Sequence, residues 1–507
     1  MDNITNQTLD LIKTAQMRGN DEIQKNITTA NNLAAYDLQA PAKNLYPVQT
    51  PIRNTLPRTT GIGTATNWRT VRNITGSGYD GMGWVPEGQR SSTMSYLTQT
   101  LSASFKTLGE EDKASYEAIS AGRGFEDIRA RMTMRLLQKL MLKEESAIIG
   151  GNNSVSLATP AAPTLAVGSS GGTLAAATYW VMCVALTYEG YRNSTVAAIA
   201  TSLTINGADG LPYTLKGGSS IISSMSSGQA ITGAETLKMS VPAVNGAVAY
   251  AWYIGTGNTT PATSALKVQA ITTINSYEQK TPLVETGRAA ASVAALSDNN
   301  SVNDLAFNGL LYTAFNTAAV DATQAGGGYV QTLPTGTPGI GTTLTSSGRG
   351  SVDQIDEMLI QMWNLNQLSP TVMYCNAQEI RNISNKVLTS GTAPMVRYNV
   401  GENASSMQLA ASPFVDTYFN PITKQALRIE VHPNVPPGTI LAWADDLPAQ
   451  YQSSEVPNVA EIRARQDYYQ IDWPVTSRQQ QVGVYCEEVF VCYAPFAIGV
   501  INNIANG

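Results

Sequence analysis

The sequence holds one histidine, His432, which is the first residue to consider for chemistry. It lies in the segment Val431-His432-Pro433, at the end of a predicted strand. A Ser-His-Asp triad would have to use this residue, but no G-x-S-x-G turn occurs in the sequence to present a serine to it. A metal site built from several histidines is excluded. We therefore expect His432 to be a structural residue.

Carboxylates occur as adjacent pairs in several places. General acid and base catalysis requires carboxylates that converge in a pocket, whereas neighbours on a helix or a strand point apart. We interpret the pairs as solvated faces or salt-bridge partners, and we predict no enzymatic activity. The pairs are Glu110-Glu111, Glu144-Glu145, Asp445-Asp446 and Glu487-Glu488.

The cysteines and the glycine-rich segments give no cofactor motif. The four cysteines form no C-x-x-C pair, so neither a zinc site nor a disulfide framework is predicted. Cys486 and Cys492 are six residues apart on a predicted strand, where they would share a buried face. Residues 76–81 spell G-x-G-x-x-G, but they run into Met-Gly-Trp-Val-Pro and do not open a helix. We expect no catalytic residue, no cofactor and no metal.

Length and composition narrow the class of protein. A chain of 507 residues is long enough for more than one domain. Only 14% of the residues are charged and the net charge is -6, which is unlike a basic nucleic-acid-binding protein. The N-terminus lacks the basic and apolar regions of a signal peptide, and no stretch has membrane-spanning length. A reduced, cytoplasmic compartment fits the unpaired cysteines.

The longest helical pattern covers Phe125 to Gly151. Its apolar residues recur every four positions and form one stripe, while basic residues and Glu144 occupy much of the remainder. Gly150 and Gly151 supply a stop signal. At about 1.5 Å per residue the helix would span roughly 40 Å. The apolar stripe consists of Ile128, Met132, Leu136 and Leu140, widened by Leu137 and Met141.

Two elements precede this helix that are unlike a packed domain. Residues 1–59 are polar and punctuated by proline, which favours an extended arm. The pattern of residues 60–106 predicts a long hairpin with strands at 64–74 and 93–105. Its glycine-rich tip carries Trp84, Pro86 and Glu87. A lone two-stranded hairpin is barely stable in water and needs a partner. A short helix is predicted at 110–121.

Composition changes sharply after the long helix. Residues 157–297 are poor in charge and consist of short β-type runs separated by turns, which predicts a self-contained β-sandwich inserted into the chain. The remainder, 298–507, is mixed. Helices are predicted at 352–367 and from 376 to about 388, each opened by a capping box, Ser351 with Gln354 and Asn376 with Glu379. Strands are predicted at 371–375, 426–431, 439–443 and 482–493.

The order of these parts resembles the major capsid proteins of tailed bacteriophages, which have the Hong Kong 97-like fold. The resemblance rests on the arm, the hairpin tip Trp84-Val85-Pro86-Glu87-Gly88, the long helix that ends Ala147-Ile148-Ile149-Gly150-Gly151-Asn152, and the mixed body that follows. It covers the chain except the sandwich. Residues 178–195 and 250–255 of the sandwich look like an immunoglobulin or fibronectin type III module.

The resemblance implies an α+β fold with the following domains: an N-arm at 1–59, an E-loop hairpin at 60–106, a peripheral domain with the spine helix at 107–156, the inserted immunoglobulin-like sandwich at 157–297, and the axial domain with the rest of the peripheral domain at 298–507. It implies that copies form hexamers and pentamers of an icosahedral shell around double-stranded DNA. The protein would belong to the virion and assemble in the host cytoplasm, without membrane contact.

The resemblance also assigns roles to particular residues. E-loop contacts between subunits would involve Trp68, Trp84, Pro86, Glu87 and Leu101, and the spine helix would pack through Ile128, Met132, Leu136, Leu140 and Met141. Residues 60–105 contain no lysine, so the covalent cross-link of some family members is not expected. Only some 40 residues precede the proline-rich run, which favours a separate scaffold protein. A portal and a decoration protein are further expected partners.

Two other functions remain open from the sequence. A bacterial nanocompartment shell shares the fold and encloses enzymes, although it would typically lack the sandwich. A secreted or surface carbohydrate-binding, adhesive protein would explain the sandwich and the abundance of Ser, Thr and Asn. It would not explain the long helix.

Overall fold

The computed structural model shows a protein of mixed helices and strands. Residues 1–45 of the predicted arm, the hairpin residues 77–81 and residues 317–327 lie outside the described part of the chain. The described end of the predicted arm is not extended throughout, because it contains a short helix, Pro51–Thr55, and buries Ile52 and Leu56. Contacts between Cα atoms divide the chain into two units, residues 1–47 with 114–131 and residues 48–113 with 132–507. The structure describes residues 46–76, 82–123, 126–168, 171–285, 296–316, 328–348, 350–389, 398–399, 408–409, 415–447 and 458–505.

The elements have the following bounds. The helices are α1 (Pro51–Thr55), α2 (Tyr116–Ala121), α3 (Ile128–Gly150), α4 (Tyr188–Asn193), α5 (Leu310–Phe315), α6 (Asp353–Asn366) and α7 (Ala377–Thr389). The strands are β1 (Arg58–Thr60), β2 (Ala65–Thr75), β3 (Ser95–Ser104), β4 (Lys106–Ser115), β5 (Thr164–Gly168), β6 (Ala177–Leu186), β7 (Ser202–Asn206), β8 (Pro212–Lys216), β9 (Gln229–Ile231), β10 (Thr236–Ser240), β11 (Ala249–Thr256), β12 (Lys267–Thr272), β13 (Ser276–Gln279), β14 (Tyr329–Thr332), β15 (Val372–Cys375), β16 (Tyr398–Asn399), β17 (Gln408–Leu409), β18 (Thr417–Phe419), β19 (Ala426–Val431), β20 (Ile440–Trp443), β21 (Ala460–Asp472), β22 (Gln479–Cys492) and β23 (Ile498–Asn502).

The smaller unit contains α2 and the first turn of α3. Ser115 caps α2, because its hydroxyl accepts a hydrogen bond from the Ala118 amide at 3.2 Å. Asp127 plays the same part for α3, accepting from the amides of Arg129 at 3.0 Å and Ala130 at 3.3 Å. The sequence placed Asp127 inside the first turn, and the structure places it just ahead of the helix.

The long helix is present and ends where the glycine signal predicted, at Gly150. A side chain at this position is excluded, since a Cβ atom would lie 2.1 Å from the Tyr188 ring. The tyrosine therefore packs directly on the helix backbone. Tyr188 begins α4, so this contact joins the long helix to the β-rich region that follows it.

The larger unit has its main core around a six-stranded sheet with the order β14-β23-β20-β15-β19-β18. Helices α5 and α6 contribute apolar side chains to the same core. Strands β15, β20 and β23 are buried along their whole length, as their mostly apolar composition predicts, and the burial includes Asn502 at the end of β23. The strands predicted at 371–375, 426–431 and 439–443 are confirmed within one residue at each end.

A second sheet has the order β1-β21-β22-β4 and corrects two predictions. Residues 110–115 form the end of strand β4, so the helix predicted at 110–121 begins only at Tyr116. Glu-Glu-Asp-Lys favours a helix locally, but pairing with β22 overrides that preference. Strand β21, 13 residues long, was not predicted at all.

The described elements of residues 157–285 are strands of three to ten residues, together with α4 and one turn of 3-10 helix. A three-stranded sheet, β13-β10-β5, and a four-stranded sheet, β12-β11-β6-β9, pack through one shared cluster that includes Leu237, Met239 and Trp252. The β-type run at 195–205, one of the short runs on which the sandwich prediction rests, forms a strand only from Ser202. The hairpin β7–β8 forms a separate two-stranded sheet.

The chain enters and leaves this region at neighbouring positions. The Asn152 side-chain amide donates to the Ser301 carbonyl at 2.8 Å, and that of Asn299 donates to the Leu157 carbonyl at 2.9 Å. The region is not self-contained, however. Tyr188 belongs to the main core, and its backbone amide donates to the Tyr312 hydroxyl at 2.9 Å.

The capping boxes predicted for α6 and α7 are each wrong in part. Val352 is the N-terminal capping residue of α6 and makes no side-chain cap, while Gln354 accepts from the Thr345 amide at 2.9 Å. Asn376 does cap α7 by accepting from the Gln378 amide at 3.2 Å. Its expected partner Glu379 turns away and accepts from the Gly438 amide at 3.0 Å. Long-range partners therefore replace the local ones.

Candidate assembly surface

The predicted hairpin is formed by β2 and β3, which pair with each other and with no other strand of the described structure. Threonines, Trp68, Val71 and Ile74 along β2 favour the extended conformation. The register shifts between Val71 and Asn73, where Arg72 is the extra residue of a β-bulge. The bulge decides which side chains share a face.

The base of the hairpin packs on its own chain. Trp68 lies opposite Leu101, and the Trp68 and Tyr493 ring centroids are 5.8 Å apart in an edge-on arrangement. Trp68 and Leu101 are both half-buried in the single chain. Part of the surface expected to meet a neighbour is therefore covered within the subunit.

The outer half of the hairpin exposes an apolar face. Val71 and Ile74 are three residues apart and would point to opposite faces of a regular strand, but the bulge brings them to the same face. Tyr96 pairs directly with Ile74 and joins them. Each of the three exposes more than half of its surface. Exposed apolar residues in one patch indicate a surface that a partner covers.

The connecting loop, residues 82–94, is exposed throughout. Trp84 leaves 91% of its surface in solvent, and Pro86 and Glu87 are exposed beside it. Tryptophan carries the largest apolar side chain and is enriched where interfaces are most tightly packed. A tryptophan held this far from its own core therefore indicates a binding surface.

A polar cluster with two buried carboxylates at its centre fixes the chain immediately before the hairpin. Arg58, the first residue of β1, pairs with Glu144 of α3 and donates to Glu488 of β22 at 2.9 Å and to Asp467 of β21 at 2.6 Å. Glu144 also accepts from Arg53 at 2.6 Å and from the Tyr468 hydroxyl. We call these six residues the arginine–carboxylate cluster.

The geometry of this cluster holds β1, α3 and the hairpin β21–β22 together. The guanidinium carbons of Arg53 and Arg58 each lie 5.2 Å from the centre of the Tyr468 ring, a cation–π distance. Glu144 and Glu488 are fully buried. Burial, together with the nearby Glu144 carboxylate, raises the pKa of Glu488 to about 8, and Arg58 opposes this only in part.

Glu145, the neighbour of Glu144, is the centre of a second group of buried hydrogen bonds. It accepts from the backbone amides of Ile52 at 3.0 Å and Arg53 at 2.7 Å, and it lies 2.7 Å from His432 Nε2. His432 Nδ1 accepts from the Asn434 amide at 3.1 Å, so Nε2 carries the proton that is donated to Glu145. The geometry assigns His432 a structural role, as predicted.

The remaining carboxylate pairs make local contacts. Glu110 pairs with Lys143 and Glu111 accepts from the Tyr485 hydroxyl. Asp445 contacts Thr371 and Arg428, and Glu487 pairs with Arg465. The cysteines are buried and free, and desolvation raises the pKa values of their thiols. Cys486 and Cys492 lie on β22, as expected.

The residues predicted to line the packing face of the long helix are buried to different degrees. Met132, Leu136 and Leu140 are buried, whereas Ile128 and Met141 are half-buried. Glu144 continues the same four-residue spacing toward Ile148 and lies on the buried stripe. The sequence reading placed it on the polar face, and that placement is wrong.

The sequence reading missed the outer apolar face and the arginine–carboxylate cluster. The position of Glu144 in the repeat Leu136, Leu140, Glu144, Ile148 was a usable signal for a buried carboxylate. The bulge at Arg72 had no such signal, because it depends on pairing with β3. Among the described residues, no group of histidine, cysteine and acidic side chains has metal-binding geometry. None of the described helices combines the length and the apolar character needed to cross a membrane.

Comparisons with known proteins give structural likeness only. No protein-family model matches the chain, and no curated protein matches it in sequence. Among solved structures, it is similar to the subunit of "Capsid of native GTA particle", with a TM-score of 0.41 and 10% identity over 94% of this chain and 97% of that one.

Two further structures show the same degree of likeness. The capsid of Myoviridae phage XM1 gives a TM-score of 0.40 and 8% identity over 94% of this chain and 99% of that one. The holo-encapsulin complex of Synechococcus elongatus gives a TM-score of 0.40 and 9% identity over 94% and 95%. The first is a phage capsid and the second an encapsulin complex.

Proposed function

We propose that this chain is the major capsid protein of a tailed bacteriophage, with the Hong Kong 97-like fold. Many copies assemble, as hexamers and pentamers, into an icosahedral shell that encloses double-stranded DNA. The proposal rests chiefly on one observation, the hairpin β2–β3 with its exposed apolar face and the loop that carries Trp84. A single subunit leaves these side chains in water, and assembly would bury them.

The charge of the chain suits a container. A net charge of -6 and few charged residues give the wall little attraction for DNA phosphates, so DNA can move during packaging and release. In this proposal the protein belongs to the virion and assembles in the host cytoplasm. It performs no catalysis and carries no cofactor or metal.

The β-rich region is proposed to be an inserted immunoglobulin-like module on the outer surface. The adjacent entry and exit points, bonded through Asn152 and Asn299, support an insertion. Its buried contacts with the main core mean that removing residues 157–296 would uncover Tyr312 and Gly150. We expect the deleted protein to be soluble but less stable, and an insoluble product would argue against the insertion.

Further partners follow from the same proposal. A separate scaffold protein directs assembly, a portal occupies one vertex, and a decoration protein binds the outer module. The shell is held without covalent links, because residues 60–105 contain no lysine. Boiling the shells in detergent should release monomers, and a ladder of multimers on the gel would contradict this part.

Electron microscopy of the purified recombinant protein, with size-exclusion light scattering beside it, tests the proposal. Closed shells, or hexamers and pentamers, are the expected result, with the scaffold protein co-expressed if the chain alone forms none. A stable monomer under all these conditions would overturn the proposal and favour a surface-binding, adhesive protein. Shells that copurify with a folded enzyme cargo would instead identify a nanocompartment.

A further inference from the structure

A surface cavity of about 630 Å³ lies between elements that are far apart in the sequence. Its walls are the hairpin β7–β8, strand β4 with its neighbour β22, and the turn between β21 and β22. This volume is within the range of about 300 to 1,000 Å³ that is typical of sites for small molecules. One chain supplies every wall, so the cavity exists before any assembly.

The Tyr485 ring of β22 is a fixed part of the lining. It fits between Gly109 and Gly483, where a Cβ atom on either glycine would overlap an edge of the ring. Its hydroxyl donates a hydrogen bond to Glu111. An aromatic ring that is held in this way loses little freedom when a ligand packs on it.

The other two walls carry aromatic side chains as well. Tyr213 comes from β8 and Trp473 from the turn between β21 and β22, and both are exposed. Ile205 pairs with Tyr213 in the strand register, so both lie on the face of β7–β8 that lines the cavity. The faces of tyrosine and tryptophan rings attract cations and pack on methylene groups. Each wall thus offers an aromatic surface to the same space.

The cavity also carries negative charge. Glu110, Glu111 and Asp209 line it, and none of the described residues in the lining is basic. Lys143 pairs with Glu110 from outside the lining, which leaves the charges of Glu111 and Asp209. Burial, followed by Glu111 and then Asp209, raises the pKa of Tyr485, so both carboxylates act on the same ring.

This lining selects the chemistry of the occupant. An inorganic cation would satisfy the carboxylates but leave the aromatic walls in water, and a neutral apolar molecule would cover two carboxylates without a cation. An aliphatic diamine meets both conditions, because its ammonium groups pair with carboxylates and its methylene groups pack on the rings. Glu111 on β4 and Asp209 in the β7–β8 turn lie on different walls, which suits a charge at each end of the ligand.

We infer that the surface cavity binds an aliphatic diamine or polyamine. The ammonium groups pair with Glu111 and Asp209, and the chain between them packs on Tyr213, Trp473 and Tyr485. The inference goes beyond the proposed function and does not depend on it, since the site is complete in one subunit. Every subunit of a shell would carry one such site.

Calorimetric titration of the purified full-length protein with the diamine putrescine tests the site. In low-salt buffer we expect saturable binding with one ligand per subunit. Butylamine has a single ammonium group and should bind about fivefold more weakly, because one of the two ion pairs is lost. Butanediol, the uncharged analogue, should give no more heat than the buffer.

Two substitutions remove charge from the cavity and keep the hydrogen bonds of the fold. Asp209→Asn retains the oxygen that accepts from the Leu211 amide at 2.9 Å, and Glu111→Gln retains an acceptor for the Tyr485 hydroxyl. Each should raise the Kd for putrescine about fivefold. Trp473→Ala should raise it by a similar factor through the lost aromatic contact.

Asp112→Asn is the matched control. Asp112 follows Glu111 on β4, is exposed and does not line the cavity, so this variant should bind putrescine within about twofold of the wild type. A loss equal to that of Glu111→Gln would mean general attraction of cations and would overturn the site.

Two further results would overturn the inference. One is a putrescine titration that gives no more heat than sodium chloride at the same ionic strength. The other is tight binding of a blocked peptide Leu-Lys-Leu by a protein that does not bind putrescine, because the occupant would then be a segment of another protein. Neither result bears on shell formation, which electron microscopy measures separately.

Discussion

The two long hairpins of this protein, β2–β3 and β21–β22, differ in how much of the chain supports them. Their strands are 11 and 10 residues long in the first, and 13 and 14 in the second. Strands β1 and β4 flank β21–β22 on both edges, whereas β2–β3 has no further strand in the described structure. The arginine–carboxylate cluster also fastens β21–β22 to the long helix.

This difference shows what each hairpin can do. A hairpin with both edges paired and one face bonded to a helix is a rigid platform. A two-stranded hairpin is only marginally stable alone, and edge strands and apolar faces that remain open recruit a partner. The supported hairpin thus belongs to the subunit fold, and the unsupported one is suited to assembly.

Removing Glu144 should have the largest effect on the supported hairpin. Glu144→Ala leaves Arg53 without its carboxylate and weakens the hold on Arg58, and breaking a buried ion pair from one side costs about 3 to 5 kcal/mol. We expect a large decrease in the thermal unfolding midpoint of the purified subunit. The half-exposed pair Glu110 with Lys143 gives the control, since Glu110→Ala should cost less than about 1 kcal/mol. Equal losses would mean that the cluster does not fasten the hairpin.

Two tryptophans of the unsupported hairpin should respond in opposite ways. Trp84→Ala should leave the unfolding midpoint of the free subunit unchanged, because the side chain is exposed, but should weaken each subunit contact by about 2 kcal/mol or more. Trp68→Ala should lower the midpoint, since Trp68 packs on Tyr493. Unfolding curves and the critical concentration for assembly measure the two effects. If Trp84→Ala assembled at the same critical concentration as the wild type, Trp84 would not contribute to the subunit interface.

The stability of the supported hairpin β21–β22 should also depend on pH, through Glu488 of β22. Between its ordinary pKa of 4.5 and about 8, this residue is protonated in the folded chain and ionised in the unfolded chain. The contribution of Glu488 to the free energy of unfolding is therefore fully present below about pH 4.5. It decreases as the pH rises from there and is lost above about pH 8. Glu189, whose pKa burial raises to about 7, acts in the same direction.

Glu488→Gln imitates the protonated form and should reduce this dependence. We expect the variant to gain most over the wild type in unfolding midpoint at pH 8.5 and least at pH 5. Glu487→Gln alters the neighbouring carboxylate, which pairs with Arg465, and serves as the matched control. A gain that does not change with pH would show that proton binding at Glu488 is not the cause.

The sequence allowed the long helix, β2–β3 and most strands of the main sheet to be predicted, because their patterns are local. The helix ends at Gly150 because a glycine can pack against Tyr188, and the glycine itself is visible in the sequence. The β4 error at residues 110–115 has the opposite origin. Its partner β22 is more than 360 residues away in the sequence, and no local pattern reports such a pairing.

The candidate surface was predictable only in part. Trp84 and Pro86 in a glycine-rich tip indicated an exposed loop, but the shared face of Val71 and Ile74 depends on the bulge and so on the register with β3. The surface cavity is likewise lined by β4, β7–β8 and the β21–β22 turn, which are far apart in sequence. Only the folded chain brings these residues together.

The smallest expected effect concerns the ion pair that holds β7–β8 at its base. Lys216 Nζ lies 3.1 Å from Asp304, and both side chains are exposed, so the pair should contribute at most about 1 kcal/mol. Lys216→Ala should leave the unfolding midpoint of the subunit nearly unchanged, because water and salt screen an exposed ion pair. Raising the salt concentration on the wild type should reproduce the change. If Lys216→Ala lowered the unfolding midpoint as much as Glu144→Ala, this ion pair would be as important for the fold as the arginine–carboxylate cluster.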